Sequence, residues 1–202
     1  MPNSSVIVPI REQIANKIRA EIFNGELAEN TKLKEQILAE RFGVSRGPIR
    51  DVFIQLTKEG LLVSKNNCGV AVNSALTPAL QKLMIKLRID VETFAMRECS
   101  KTLDDTDFAH LEDILSALGK AFDDQDYARV TQLDMQFHRY LVRKSGGDEL
   151  VNIWQPIIFR MRMNYKRISA AKECIAEHRA ILNGLKSGDS KIAIAALKGN
   201  IR

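Results

Sequence analysis

Residues 38–56 read LAERFGVSRGPIRDVFIQL, a stretch that gathers Ser45, Arg46, Pro48 and Arg50 at the start of one helix. A helix-turn-helix needs a small residue where two helices touch, a turn tolerant of positive φ, and an apolar anchor on the second helix. Ala39, Gly43 and Ile49 meet those needs in order, with Val44, Val52 and Leu56 completing the core-facing side. Ser45 stands where a hydroxyl accepts from a first-turn N–H, and Pro48 falls where no intrahelical N–H is needed. Arg46 and Arg50 then lie one turn apart at the end of the helix that enters the major groove. There an arginine reads guanine O6 and N7 through two bonds, or clamps phosphate. The competing reading of the same pair is a solvated surface, with Arg50 on a nearby carboxylate.

Outward from this stretch, helical periodicity dominates. Residues 9–24 repeat apolar side chains at Ile10, Ile14, Ile18 and Ile22 and stop at Gly25. A short helix over 34–42 ends at Gly43, and the Arg46 helix runs to about Glu59 before Gly60. The run LLVSKNNCGVAV, residues 61–72, predicts a hairpin whose polar tip holds Lys65, Asn66, Asn67 and Gly69, a wing able to approach the DNA backbone or minor groove. After Asn73 the texture changes to long helices, predicted over 77–99, 104–122, 125–145, 147–167, 170–187 and 189–202, with breaks at Gly146-Gly147 and Ser187-Gly188. The expected fold is mainly α. A winged helix-turn-helix with a small β-hairpin wing occupies 1–75, and an all-helical six-helix bundle occupies 76–202.

Bulk composition adds limits rather than a function. The 202 residues carry a formal charge of +5 and 45% apolar side chains. Residues 1–73 hold ten Lys/Arg against eight Asp/Glu, so a nucleic-acid signal must come from local placement and not from net charge. No run of eighteen uncharged apolar residues predicts a membrane span. The opening MPNSSVIVPIREQI lacks the pattern of a secretory signal. Cys68, Cys99 and Cys174 are odd in number and form no CxxC pair, which predicts reduced thiols in a cytoplasm.

A second constellation lies in LDMQFHRYL, residues 133–141. Asp134 and His138 are i and i+4 and share a helix face with the apolar stripe Val130, Leu133, Phe137 and Leu141. An aspartate there needs a partner, since an unpaired buried carboxylate is costly. The simplest partner is His138 itself, or an arginine from another helix. His178 is central to the apolar face of a later helix, between Cys174, Ile175, Ile181, Leu182 and Leu185. His110, opposite Leu111, Leu115, Leu118 and Phe122, is expected to be exposed. One aspartate and two inward histidines form a facial set for a divalent transition metal such as zinc or nickel. Such a set with open positions also suits a metal-dependent enzyme. No obvious general base, nucleophile constellation or cofactor loop accompanies it.

The N-terminal pattern resembles the winged helix of the GntR family of bacterial transcription regulators. Leu33, Glu35, Leu38, Ala39, Gly43, Val44, Ser45, Arg46, Pro48, Arg50, Leu56, Glu59, Gly60, Leu61 and Gly69 match it in register. The resemblance implies operator contacts from Arg46 and Arg50, with Ser45, Lys65, Asn67 and Gly69 at the same surface. Gln36 stands where some members carry a DNA-contacting arginine. The helical half resembles the FCD ligand-binding domain of the FadR subfamily, and its short six-helix length is closer to the VanR-type branch. Asp134 and His138 match the family's D-x-x-x-H, His178 a later metal histidine, and Asn200 stands where a third histidine is usual. The resemblance further implies a homodimer and a small organic acid effector. Arg88 matches a position often occupied by arginine, and Arg162 is a second basic candidate for the effector. An effector-independent dimeric DNA-binding protein is the remaining alternative.

Overall fold

A computed structural model describes residues 8–65, 69–163 and 171–201. The chain forms two compact units that divide between Leu76 and Thr77, with Arg162 grouped with the first.

In the first unit, α1 (Ile10–Phe23), α2 (Glu35–Phe42) and α3 (Arg46–Lys58) are followed by strands β2 (Leu62–Lys65) and β3 (Gly69–Val72). A two-residue strand, β1 (Lys32–Leu33), was not expected; it adds to β3, giving an antiparallel sheet of order β1-β3-β2. Lys65 pairs with Gly69 at the end of the hairpin ladder. Asn66, Asn67 and Cys68 lie outside the described residues. Ile14, Ile18 and Ile22 of α1 are buried with Leu38 and Ala39 of α2 and Ile49, Val52, Phe53 and Leu56 of α3.

The turn between α2 and α3 follows from Gly43, whose φ of 65° is the left-handed value glycine adopts without steric cost. Ser45 occupies the N-cap of α3 in extended backbone, but its hydroxyl makes no capping bond. The third residue of α3 is Pro48, which has no N–H to donate, so of the two usual capping donors only Gly47 is left. The far end of α3 is tied to α1 by a buried arginine. Arg19 donates from Nε to Glu59 Oε2 at 2.7 Å and from its second guanidinium nitrogen to Glu59 Oε1 at 2.5 Å. It also reaches Glu12 and Asn16. Such bidentate pairing satisfies the buried charge and fixes the direction of α3.

The second unit comprises α4 (Pro78–Thr102), α5 (Asp105–Asp123), α6 (Tyr127–Arg162), α7 (Ala171–Lys186) and α8 (Ser190–Asn200). Its starts are written in the sequence. The Thr77 hydroxyl accepts from Leu80 N–H ahead of Pro78, and Asp104 and Asp107 cap each other's backbone N–H groups in a reciprocal box. The two helices expected over 125–145 and 147–167 form the two arms of α6, separated as expected by non-helical backbone at Gly146 and Gly147, the latter at φ 64°. The core gathers Met96, Leu111, Leu115, Leu118, Phe137, Trp154, Ile181, Leu182 and Leu197. Cys99 and Cys174 are free and buried.

Gly184 marks a close approach of α7 and α8. A Cβ there would stand 2.6 Å from the backbone nitrogen of Ala193 and 2.7 Å from its Cα. Alanine ordinarily favours a helix over glycine by about 1 kcal/mol. Here the clash is with backbone, which cannot rotate away, so overpacking wins. Gly184→Ala is expected to lower stability by roughly 1–3 kcal/mol in urea denaturation. A gain in stability would show that α8 yields easily.

Candidate functional site

The surface expected to face DNA is built first by α2 and α3. Arg46 and Arg50 occupy the N-terminal turns of α3 and are about 60% exposed, so neither is committed to packing. Both reach the carboxylate of Glu35, the first residue of α2. Arg46 donates to Oε2 from its terminal nitrogen at 3.0 Å and from Nε at 3.3 Å. Arg50 donates from Nε to Oε1 at 3.1 Å and from its terminal nitrogen to Oε2 at 3.0 Å. Hydrogen bonds from Arg50 and Arg46 hold the Glu35 carboxyl below its usual range. The carboxylate expected for Arg50 alone therefore serves both arginines. Ser45 and Gly69 are exposed, and Gly69 takes a φ of 83° where β3 begins. Gln36 is also exposed, with its amide donating to Glu40 at 3.1 Å.

The second site is internal to the bundle. Asp134 and His138 come from α6 and His178 from α7. One potential ligand atom from each lies within 4.8 Å of the others. Both histidines are fully buried, with Asp134 at their edge. Phe137 packs edge-on against both rings, at 5.6 Å from His138 and 5.0 Å from His178 between centroids.

Hydrogen bonds on the far side of each ring determine which nitrogen faces the centre. His138 Nδ1 lies 2.6 Å from Glu92 Oε2. Glu92 is completely buried on α4, and its Oε1 accepts from Arg88 Nε at 2.8 Å and Trp154 Nε1 at 2.7 Å. Burial raises the Glu92 pKa, but Arg88 and His138 outweigh it and bring the group down to about 2. An ionised carboxylate only accepts, so His138 Nδ1 carries the proton and Nε2 presents a lone pair. Likewise His178 Nδ1 donates to the Cys174 carbonyl at 2.8 Å, leaving its own Nε2 toward Asp134. Asp134 Oδ1 stands 3.2 Å from that nitrogen. Among the described residues, neither Nε2 has a hydrogen-bond partner of good geometry.

With both imidazoles neutral the centre consists of acceptors, two imidazole lone pairs and a carboxylate, whereas the raised pKa of His178 puts a proton on its Nε2 toward Asp134 when no metal is bound. Such a set repels itself unless a cation lies among its members. The same imbalance appears in the titration of His178. Burial lowers its pKa, yet Asp134 and Cys174 more than compensate and lift it to about 10. Burial dominates at His138 and lowers its pKa. A divalent metal fits the donors, since imidazole nitrogen and carboxylate oxygen are both zinc and nickel ligands.

The remaining expected residues are placed differently. The polar partner of His138 is Glu92 and not Asp134, because Glu92 approaches from α4 while Asp134 points at α7. Arg88 Nε is engaged by Glu92. Asn200, at the end of α8, donates its amide to Glu177 at 3.1 Å. Arg162 closes α6 and is half-buried. His110 is exposed and packs against Tyr140 at 4.6 Å. Glu35 and Glu92 are the functional candidates that sequence reasoning left out of the sites. Arg88 and Glu92 at i and i+4 were a usable signal for the second.

Comparison with known proteins gives two family matches. Residues 10–72 match the bacterial regulatory proteins of the gntR family, and residues 83–202 match the FCD domain. An uncharacterized HTH-type transcriptional regulator from the unstable DNA locus of Streptomyces ambofaciens is 30% identical, over 95% of this chain and 82% of its own. The Bacillus subtilis regulator YdhC is 29% identical, over 92% of this chain and 84% of its own. Among solved structures, Escherichia coli McbR/YncC superposes with a TM-score of 0.80 at 21% identity, covering 96% of this chain and 94% of that one. The matched relatives are transcription regulators and not enzymes.

Proposed function

Because the chain belongs to the GntR family of bacterial regulators and carries an FCD domain behind its winged helix, we propose that a small carboxylate effector in the helical domain modulates its binding to operator DNA. The effector's place is the centre formed by Asp134, His138 and His178. The observation that carries this reading is the convergence of Asp134, His138 and His178, whose potential ligand atoms lie within 4.8 Å of one another around two buried imidazoles.

In this reading His138, His178 and Asp134 hold a zinc or nickel ion, which supplies a Lewis-acidic contact for the effector's carboxylate. Glu92 and the Cys174 carbonyl fix the two rings so that both Nε2 atoms face inward. Phe137 excludes water from the ring faces. Asn200 stands at the position of a weaker fourth donor, and Arg88 supplies a basic side chain. At the other unit, Arg46 and Arg50 read the operator with Ser45, Gln36 and Gly69 beside them, and Lys65 and Asn67 belong to the wing. We place the protein in the cytoplasm and in the VanR-type branch. No helix among the described residues is long and apolar enough to cross a membrane.

A homodimer is part of the proposal. On α4 the exposed side chains Leu80, Leu83, Leu87 and Phe94 recur at three-, four- and seven-residue intervals, forming an apolar stripe suited to a second copy. Two copies place two recognition helices on the halves of a near-palindromic operator.

Native mass spectrometry of gently purified protein, followed by zinc and nickel titration against a chelator, tests the centre. Wild type is expected to bind one ion per chain, and His178→Ala to lose it. Thermal shifts with a panel of small carboxylates should require the metal. Absence of binding with the ion in excess would leave a proton on His178 as the balancing charge, and the bundle would then be a dimerisation module without a metal.

A further inference from the structure

We propose that Glu35 is a positioning residue that sets the sequence specificity of the DNA-reading tip, by serving as an internal anion that Arg46 and Arg50 must exchange together for DNA. The inference rests on the reading that these two arginines contact DNA. Its basis is geometric. One carboxylate at the start of α2 accepts hydrogen bonds of 3.0–3.3 Å from two guanidinium groups on α3. Glu35 is itself only about a quarter exposed, while the arginines are largely open.

Two consequences follow. The tip offers a net charge of one positive unit in place of two, which weakens sequence-independent attraction to phosphate. The two arginines are also coupled. DNA that supplies acceptors for one of them leaves Glu35 anionic, held by the other and facing the duplex. DNA that supplies bidentate acceptors for both arginines replaces all the hydrogen bonds that the carboxylate gives up. Random sequence therefore bears the cost of displacing Glu35, and a matching operator recovers it.

The test uses the full chain and two probes: a random-sequence 30-base-pair duplex, and a duplex selected from a random library by the wild-type protein. Glu35→Gln keeps the side-chain shape and removes the charge. It is expected to bind the random duplex roughly 3–10-fold more tightly at low salt, with the log-log salt slope steeper by about 0.9. Its affinity for the selected duplex should rise less or fall, so the specificity ratio drops at least about 3-fold. Glu40→Gln is the charge control, because it neutralises a carboxylate on the same helix whose partner is Gln36. It should leave the ratio unchanged. An unchanged ratio in Glu35→Gln, an equal loss on both probes, or an equal change in Glu40→Gln overturns the proposal. Arg46→Ala and Arg50→Ala separate it from the reading beneath it. If both bind the selected duplex like wild type, the DNA-reading assignment itself fails. If they weaken while Glu35→Gln leaves the ratio intact, only the role of Glu35 fails.

Discussion

Glu92→Gln is expected to lower zinc or nickel affinity by about 10–100-fold and to destabilise the bundle by about 3 kcal/mol or more. Two physical effects act at once. The carboxylate accepts from His138, Arg88 and Trp154 in a fully buried setting. Its replacement by a neutral amide removes the anion that balances Arg88 and leaves one oxygen where two had served. The loss of affinity has a different origin. If the glutamine oxygen stays with Arg88 and Trp154, its NH₂ group faces His138 Nδ1. Two donors cannot share that hydrogen bond, so His138 moves its proton to Nε2 and accepts from the amide at Nδ1. The lone pair then points away from Asp134 and His178, and the centre loses a ligand without losing an imidazole. Urea denaturation of the metal-free protein isolates the stability effect, and chelator competition isolates the affinity effect. Lowered stability with unchanged metal affinity would make Glu92 a packing residue alone.

Low pH should act on the same group. The Glu92 pKa is depressed to about 2 from an ordinary value of 4.5. A group depressed on folding contributes stability that is complete above its unfolded pKa and is lost as pH falls through the folded one. The contribution of Glu92 is therefore intact above about pH 4.5 and disappears toward pH 2. This is a second way to see its role without mutating the centre.

The parts of the molecule legible in the sequence were those encoded by short spacings. Gly43 announces the turn between α2 and α3, since only a left-handed residue fits there. Asp104 and Asp107 at the start of α5, and the Gly146-Gly147 break in α6, are equally local. Asp134, His138 and His178 were recoverable because each falls on or beside an apolar helical stripe, and a polar residue there must meet another. What was hidden depended on packing between elements. Strand β1 has two residues, too few to show alternation, and exists because β3 offers it an edge. Glu92 looks like the acidic half of a surface pair with Arg88. Only the approach of α6, bringing His138 and Trp154, shows it to be buried. Ser45 misled in the opposite direction: its type predicts a cap, but Pro48 removes a donor that cap needs. Glu35 was visible as a family position, but its pairing with both Arg46 and Arg50 depends on α2 lying beside α3.

At the tip proposed to read DNA the largest effect belongs to the pair taken together. The double variant Arg46→Ala, Arg50→Ala is expected to weaken binding to the selected operator by about 2–6 kcal/mol, from two arginine–DNA interactions of roughly 1–3 kcal/mol each. That range corresponds to a loss between about 30-fold and about 10⁴-fold. Stability should change little, because both side chains are about 60% exposed and an ion pair between solvent-accessible groups contributes little. The two losses will not simply add, since the arginines share that carboxylate. With Arg46 removed, Glu35 keeps its bonds to Arg50 and withholds it from DNA, so either single variant forfeits more than its own interaction with the duplex. Removal of the second arginine then costs less than removal of the first. Gel-shift titrations of wild type, both single variants and the double variant at one salt concentration close the cycle, with far-UV circular dichroism to confirm the fold. A double variant within two-fold of wild type would place operator recognition elsewhere on the winged helix. Strict additivity would retain the arginines as readers but separate them from Glu35.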